Sequence, residues 1–423
     1  MNFILVYVLN KHGKPIMPCK PRKARLLLKE GKAKVIKREP FTIQLLYGSS
    51  GYKQEINLGV DAGSKIIGLS ATTDKDELFS AEVELRNDIV DLLATRKQNR
   101  RTRRNRKTRY RKPRFLNRVR TKKKGWLAPS ILHKIQTHLT IIESIHKILP
   151  ISKIIVEVAS FDIQKIKNPD ISGKEYQQGE QLGFWNVREY VLFRDGYQCQ
   201  CCKGKSKDKI LNVHHIQSRK IGGNSPNNLI TLCETCHNKY HKGEIDLKIK
   251  RGKSFKDAAF MGIMRWAFYN KLKELYSDVS LTYGYITKSV RINSRLEKSH
   301  RIDALCISGN SQVKRLDNWY YIKKVRCHNR QIHKANILKG GRKKLNQAQF
   351  EVKGFRLFDK VIFESREYFI FGRRNSGFFD IRTLDGEKVN KGSINCNKLK
   401  LISFRKSMLW ERREGDFSTT IKG

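Results

Sequence analysis

The spacing of apolar positions changes several times along the chain, and each change predicts a different element. FILVYVL at the start reads as a strand, KHGKP as a turn and CKPRKARLLLKEG as a basic helix ending at Gly31. AKVIK and FTIQLLY follow as two more strands, so residues 1–55 predict a small α/β unit. INLGVDA, IIGLSATT and ELFSAEVEL, separated by GSK and DKD, predict a three-stranded meander over 56–85. Helical spacing returns from Ser130 to Leu149, with Ile131, Ile135, Leu139, Ile142 and Leu149 on one side. ISKIIVEV then reads as a buried strand carrying one acid. DAAFMGIMRWAFYNKLKELY predicts a long helix, VSLTYGYIT a strand and SHRIDALCIS a last helix. Beyond residue 350, short runs such as FRLFDKVIF, EYFIFGRR, FFDIRTL and LKLISF alternate with tight turns and predict a small β-barrel. No internal repeat is visible.

Charge narrows the partner. Lys+Arg outnumber Asp+Glu by 88 − 39, a net +49 on 423 residues, and such self-repulsion calls for a polyanion. Nucleic acid fits. A membrane span does not, because no apolar run approaches the roughly 18 residues that crossing requires, and the short N-terminal apolar run has no basic lead-in. The expected location is a reducing cytoplasm, in a prokaryote with the nucleoid. Between Arg96 and Lys124 lie 17 Lys/Arg and no acid, so this stretch has no face to bury. Its Arg96, Arg100, Arg101, Arg103, Arg104, Arg106, Arg109, Arg111 and Arg114 are candidate nucleic-acid contacts on a helix that folds against phosphates, RNA by preference. The bland reading is a flexible tail, which is hard to justify between two strands of one domain.

Three separated motifs carry acids. Asp61 ends INLGVD just before Ala-Gly, where a carboxylate can meet a hydrated cation; a turn-capping aspartate is the alternative. Glu157 interrupts IIVEV, where an unpartnered charge is costly, unless it faces solvent at a sheet edge. His300 and Asp303 are i and i+3 on one helix face. Acids on strand, strand and helix suit a two-metal phosphodiester hydrolase using Mg²⁺, or Mn²⁺ in its place, with His300 as base or proton carrier.

Cysteines mark a second centre. Cys199-x-x-Cys202 and Cys233-x-x-Cys236 offer four thiolates to a tetrahedral structural Zn²⁺. Cys201 is expected to stand outside the set, and Cys19, Cys306, Cys327 and Cys396 are ordinary residues. Between the pairs, His214 and His215 are consecutive on a strand and so face opposite ways. Asn228, His237 and His241 complete the polar set. A purely nucleic-acid-binding zinc knuckle explains the cysteines but not these residues.

These motifs resemble known families. Asp61, Glu157 and His300/Asp303 match the RuvC variety of the ribonuclease-H fold in order and element. The Cys/His segment resembles an HNH nuclease of ββα-metal fold. That resemblance implies His214 and His237 as ligands of catalytic Mg²⁺, His215 as general base, Asn228 as the holder of the loop, and His241 as a further ligand or phosphate contact. The order of motifs resembles the large CRISPR dual-nuclease effectors, and size and termini are similar to IscB, the transposon-associated RNA-guided nucleases. KPIMP followed by RKARLLLKEGKAKVIKREPFTIQL resembles that family's PLMP domain, and CHNRQIHKAN at 327–336 its pre-C-terminal segment.

The expectation is therefore a multidomain α+β protein. It comprises a PLMP domain (1–55), a split ribonuclease-H-like RuvC α/β core (56–85, 125–180 and 246–325), an arginine-rich bridge helix (86–124), an inserted HNH module (181–245) and a C-terminal domain (326–423) with a β-barrel. The resemblance implies a monomeric ribonucleoprotein with a long structured guide RNA, a double-stranded DNA target and a short target-adjacent motif. The HNH site would cut the guide-paired strand and the RuvC-like site the displaced one. Alternatives are an RNA-independent HNH homing endonuclease or junction resolvase, and an inactive RNA-binding protein.

Overall fold

The computed structural model describes residues 4–48, 51–105, 127–158, 183–184, 186–218, 224–247, 249, 256–327, 334–335, 343–344 and 349–415. The protein is a multidomain α/β chain that divides into two compact units, Met1–Ala159 with Met264–Gly423, and Ser160–Ile263.

The elements run β1 (Val6–Leu9), β2 (Pro15–Cys19), α1 (Pro21–Lys29), β3 (Ala33–Lys37), β4 (Thr42–Leu45), β5 (Asn57–Asp61), β6 (Ile66–Thr72), β7 (Glu77–Glu84), α2 (Ile89–Asn105), α3 (Pro129–His146) and β8 (Lys153–Val158). Next come α4 (Val187–Arg194), β9 (Leu211–His215), β10 (Leu229–Cys233), α5 (Glu234–Lys242), α6 (Lys256–Leu275), β11 (Val279–Tyr283), α7 (Gly284–Asn293), α8 (His300–Ile307) and β12 (Asn318–Lys324). The last part holds β13 (Lys360–Phe363), β14 (Arg366–Arg373), β15 (Phe378–Arg382), β16 (Ile394–Asn395), β17 (Lys400–Ser403) and β18 (Met408–Glu414), besides short two-residue hairpins.

In the first unit, residues 4–48 form a four-stranded sheet in the order β2-β1-β4-β3 with α1 packed against it. Pro21 opens α1, where its missing N–H costs nothing. Gly31 follows the helix at φ +67°, a backbone region glycine enters freely. The main sheet has seven strands, β11-β8-β5-β6-β7-β12-β18. β5, β6 and β7 are antiparallel neighbours, while β8 runs parallel to β5 and β11 parallel to β8. Alternating small and branched residues in β5 and β6 bury Leu58, Val60, Ile67 and Leu69 completely, and the period-3.6 face of α3 buries Ile141, Ile142 and Ile145.

The C-terminal runs form a five-stranded antiparallel sheet, β16-β15-β14-β13-β17, with its own apolar core around Val361, Ile370, Phe379 and Ile381. The strand after it leaves that sheet. β18 pairs antiparallel with β12 over seven residues and becomes the edge of the main sheet. Lys360, 4% exposed, ties the five-stranded sheet to the N-terminal part by pairing with Glu39, and Glu367 of the neighbouring β14 is its second partner; so buried a charge needs both.

Two glycines set the depth at which α8 lies on the main sheet. A Cβ on Gly59 of β5 would come 2.0 Å from the Ala304 carbonyl oxygen, and one on Gly68 of β6 would come 1.8 Å from that of His300. Neither distance is tolerable, so only hydrogen at these positions lets the helix backbone touch the strands. Ser299 caps the helix by accepting the Ile302 N–H at 3.3 Å. Gly68→Ala is expected to lower stability by about 1–3 kcal/mol through overpacking, read as a lower midpoint in thermal melting; a parent-like melt would show that α8 does not rest on Gly68.

Candidate functional site

The first centre grows from the register of two parallel strands. Val60 of β5 pairs with Val156 of β8, so the next residues, Asp61 and Glu157, are neighbours. On the other side, Asp61 pairs with Gly68, the residue beneath the first turn of α8. That turn delivers His300, whose Nδ1 lies 2.6 Å from Asp61 Oδ2. Asp303 is one turn further along α8, as the i, i+3 spacing predicts.

Each acid also has a guanidinium partner. Arg265 of α6, 7% exposed, is the centre's internal cation. It donates from Nε to the Ala62 carbonyl at 2.9 Å, lies 2.9 Å from Glu157 Oε1, and comes within 3.8 Å of Asp61 Oδ1. Arg291 of α7 lies 2.9 Å from Asp303. Burial, then the negative charge of Asp61, pushes the Glu157 carboxyl up, against the pull of Arg265. Asp303 is raised for the same two reasons, with Arg291 opposing. The hydrogen bond to Asp61 raises His300, favouring its imidazolium. Repulsion among the carboxylates is what a divalent cation would relieve. Their oxygens do not all come within 4.8 Å of one another, unlike the two clusters below.

The sequence reading missed Arg265 and Arg291. For Arg265 there was a signal: it is the one charge inside FMGIMRWAF, where an unpaired cation would be expensive. Arg291 stands on an ordinary polar helix and gave none.

The second unit contains the other two clusters. The four thiols of Cys199, Cys202, Cys233 and Cys236 lie within 4.8 Å of one another. Cys199, Cys233 and Cys236 are buried, and Cys201 is exposed and outside the set. Ser206 donates its hydroxyl to Cys233 Sγ at 3.0 Å, and hydrogen bonding from Ser206 lowers the Cys202 thiol to about 6. Burial and crowding push Cys236 up. Four converging thiols with no open position suit a structural zinc.

His214, His237 and His241 also lie within 4.8 Å of one another. Their elements explain it. His214 is on the buried side of β9, paired with Ile230 of β10. His237 and His241 are i and i+4 on α5, their Nε2 atoms 3.3 Å apart. His214 Nε2 is buried without a hydrogen-bond partner. Burial and the two neighbouring imidazoles lower its pKa to about 4, which keeps it neutral at pH 7. A buried, neutral, unpartnered imidazole nitrogen facing two others is the donor set of a metal ligand group.

His215 points the other way and is partly exposed, its Nε2 3.1 Å from Asn224 Oδ1. Asn228, fully buried, accepts the Gln217 N–H and donates to the Gln217 carbonyl, both at 2.9 Å. That two-point clamp fixes the backbone two residues after His215. Asp195 accepts the Thr231 N–H at 2.8 Å and so ties α4 to β10.

α2 exposes Arg96, Arg100 and Arg101. Its backbone includes Arg103 and Arg104, whose side chains lie outside the described residues, as do Arg106, Arg109, Arg111 and Arg114 and most of CHNRQIHKAN. Among the described residues no helix is long and apolar enough to cross a membrane.

Comparison with known proteins agrees with the second unit's geometry. The HNH endonuclease family matches residues 199–243, which contain all four cysteines and every histidine of the cluster. The RRXRR protein family matches residues 6–179, a region that includes the run RRTRR at 100–104. The chain thus contains an HNH endonuclease domain. Over 67 residues, 15% of this chain and 84% of the other, it is 42% identical to "Anaredoxin" of Nostoc sp. (strain PCC 7120), and through that segment it belongs to the same family. Among solved structures it is similar to Streptococcus thermophilus Cas9 in complex with the AGAA PAM (TM-score 0.32, 15% identity, 50% of this chain and 30% of that one). A second complex, with the GGAA PAM, gives 0.33 and 15% over 53% of this chain and 32% of that one. This chain thus spans less than a third of the length of those proteins.

Cys202→Ser or Cys236→Ser is expected to lower bound zinc in elemental analysis and to loosen the segment 199–243, read as faster proteolysis there. Zinc content unchanged in both variants would remove the four-thiol assignment.

Proposed function

We propose that the chain is an RNA-guided double-stranded DNA endonuclease of the IscB kind, with two separate nuclease centres. The observation that carries this reading is that one chain holds two independent groups of acids and imidazoles suited to phosphodiester hydrolysis, together with a helix of arginines that has no face to bury. The main sheet's order supports a ribonuclease-H-like RuvC core, split in sequence over 56–85, 125–180 and 246–325. Residues 1–55 are the PLMP domain, 86–124 the bridge helix and 181–245 the HNH module. The domain over 326–423 would read the target-adjacent motif.

In the RuvC-like centre Asp61, Glu157 and Asp303 would hold the divalent cations, Mg²⁺ or Mn²⁺, which supply charge stabilisation at the scissile phosphate. Arg265 and Arg291 balance the acids and keep their carboxylates aimed. His300, bonded to Asp61 through Nδ1, keeps Nε2 free to carry a proton at the phosphate. In the HNH centre His214 and His237, with His241 beside them, supply neutral nitrogen ligands. His215 takes the proton of the attacking water, and the Asn228 clamp on Gln217 holds the strand that aims it. The guide RNA would pair with the target strand and set where each centre cuts.

Asp61→Ala and His215→Ala should each turn double-strand cutting of a plasmid into nicking, on opposite strands, with the lost cut slowed by about 10²-fold or more. Loss of both cuts in either single variant would sink the two-centre assignment. Protein from cells should also carry a bound RNA; efficient, site-specific cutting by RNA-free protein would favour a homing endonuclease or junction resolvase instead.

A further inference from the structure

Two arginines and two phenylalanines of the C-terminal part form a stacked set at the surface. The Arg356 guanidinium lies 4.8 Å from the ring centre of Phe404 and 5.3 Å from that of Phe350. The Arg405 guanidinium lies 4.7 Å from the Phe350 ring centre. Phe350 and Phe404 remain 58% and 53% exposed, so the arginines do not cover them.

Hydrogen bonds tie together the backbone beneath this set. Asp359, fully buried, accepts the N–H of Arg356 and the N–H of Arg405, each at 2.7 Å. One carboxylate therefore ties the 355–356 hairpin to the 404–405 loop and fixes the spacing of their side chains. Arg373 donates to the Phe355 carbonyl at 3.1 Å and also to the Phe350 carbonyl, pinning the third segment. Arg356 meets Glu351 at 3.0 Å, a half-exposed pair that contributes little and leaves the guanidinium plane beside the rings.

We infer that Phe350, Arg356, Phe404 and Arg405 form a stacking surface for unpaired nucleotides of single-stranded RNA. Phenyl rings and guanidinium planes take the faces of bases, and the same cations meet the adjoining phosphates. An acidic peptide would satisfy the arginines but leave the two rings exposed. Duplex DNA hides its base faces within its own stack, whereas a folded RNA presents unpaired bases in loops and ends without melting. The net +49 of the chain complements such a ligand. This inference rests on the reading that the chain holds RNA, and its test separates the two.

The experiment uses the full chain, a fluorescein-labelled oligo(U) RNA and a labelled DNA duplex of equal length. Anisotropy is read at raised salt, where plain phosphate attraction is weakened. The Phe350→Ala/Phe404→Ala variant should bind oligo(U) on the order of tenfold more weakly, and Arg356→Lys, which keeps the charge and loses the plane, should also weaken it. Duplex affinity should stay at the parent value in both. Should the double variant fail to fold, Phe404→Leu and Arg356→Lys make the same comparison. Parent-like oligo(U) binding in the variants, or an equal loss for the duplex, overturns the stacking surface and leaves the RNA reading standing. A parent protein that binds no oligo(U) removes both.

Discussion

The contact of helix α8 with the backbone of β5 and β6 governs the acid centre. Gly59 and Gly68 present bare backbone to the Ala304 and His300 carbonyls, and the far end of the helix is tied down by a buried hydrogen bond of 2.9 Å between the Thr72 and Ser308 hydroxyls. Asn57 reinforces it by donating to the Ser308 carbonyl at 3.3 Å. With both ends held, the helix has no freedom to slide along the sheet. His300 and Asp303 then fall where the strand register has already put Asp61 and Glu157. A methyl group on either glycine would act on side chains it never touches.

The two centres meet the cost of polar burial in opposite ways. Around Asp61 the protein gathers like charges and balances them with Arg265 and Arg291. Burying such groups repays its desolvation cost only when every charge is met. Arg265 fulfils this by using all of its fork, on Ala62, Glu157 and Asp61. Around His214 the protein gathers imidazoles instead. Burial holds His214 uncharged at pH 7, so its ring can lie within 4.8 Å of His237 and His241 without strong repulsion. The first arrangement keeps acids apart by placing cations among them, and the second lets nitrogen donors converge directly.

Much of this was readable from the residues, and the unreadable part has a common cause. Short-range pattern revealed the meander, the apolar strand with its one acid, the helix carrying His300 and Asp303, and both CxxC pairs. In each, spacing within a few residues carries the information. What escaped depends on partners far apart in sequence. Nothing in INLGVDA tells that its glycine lies under a helix some 240 residues on. The separation of Arg265 from Asp61 hides their pairing in the same way, although its apolar neighbours hinted at a buried charge. The strand-like runs read beyond residue 350 end at LKLISF, and only long-range pairing with β12 makes Met408–Glu414 a strand of the main sheet. Resemblance suggested a loop-holding role for Asn228, but its double hydrogen bond to the backbone N–H and C=O of Gln217 joins residues 11 apart and is invisible in the sequence.

The order of strands in the main sheet also bears on biosynthesis. β5, β6 and β7 are contiguous and can pair as they leave the ribosome, whereas β8 follows only after the arginine stretch and α8 only after the whole HNH segment has been made. From residue 157 until residue 300 a nascent chain therefore carries Asp61 and Glu157 without His300, Asp303 or the helix that seats them. The acid centre cannot be complete before the four-cysteine segment has emerged, and premature termination anywhere short of residue 300 yields a product lacking at least half of it.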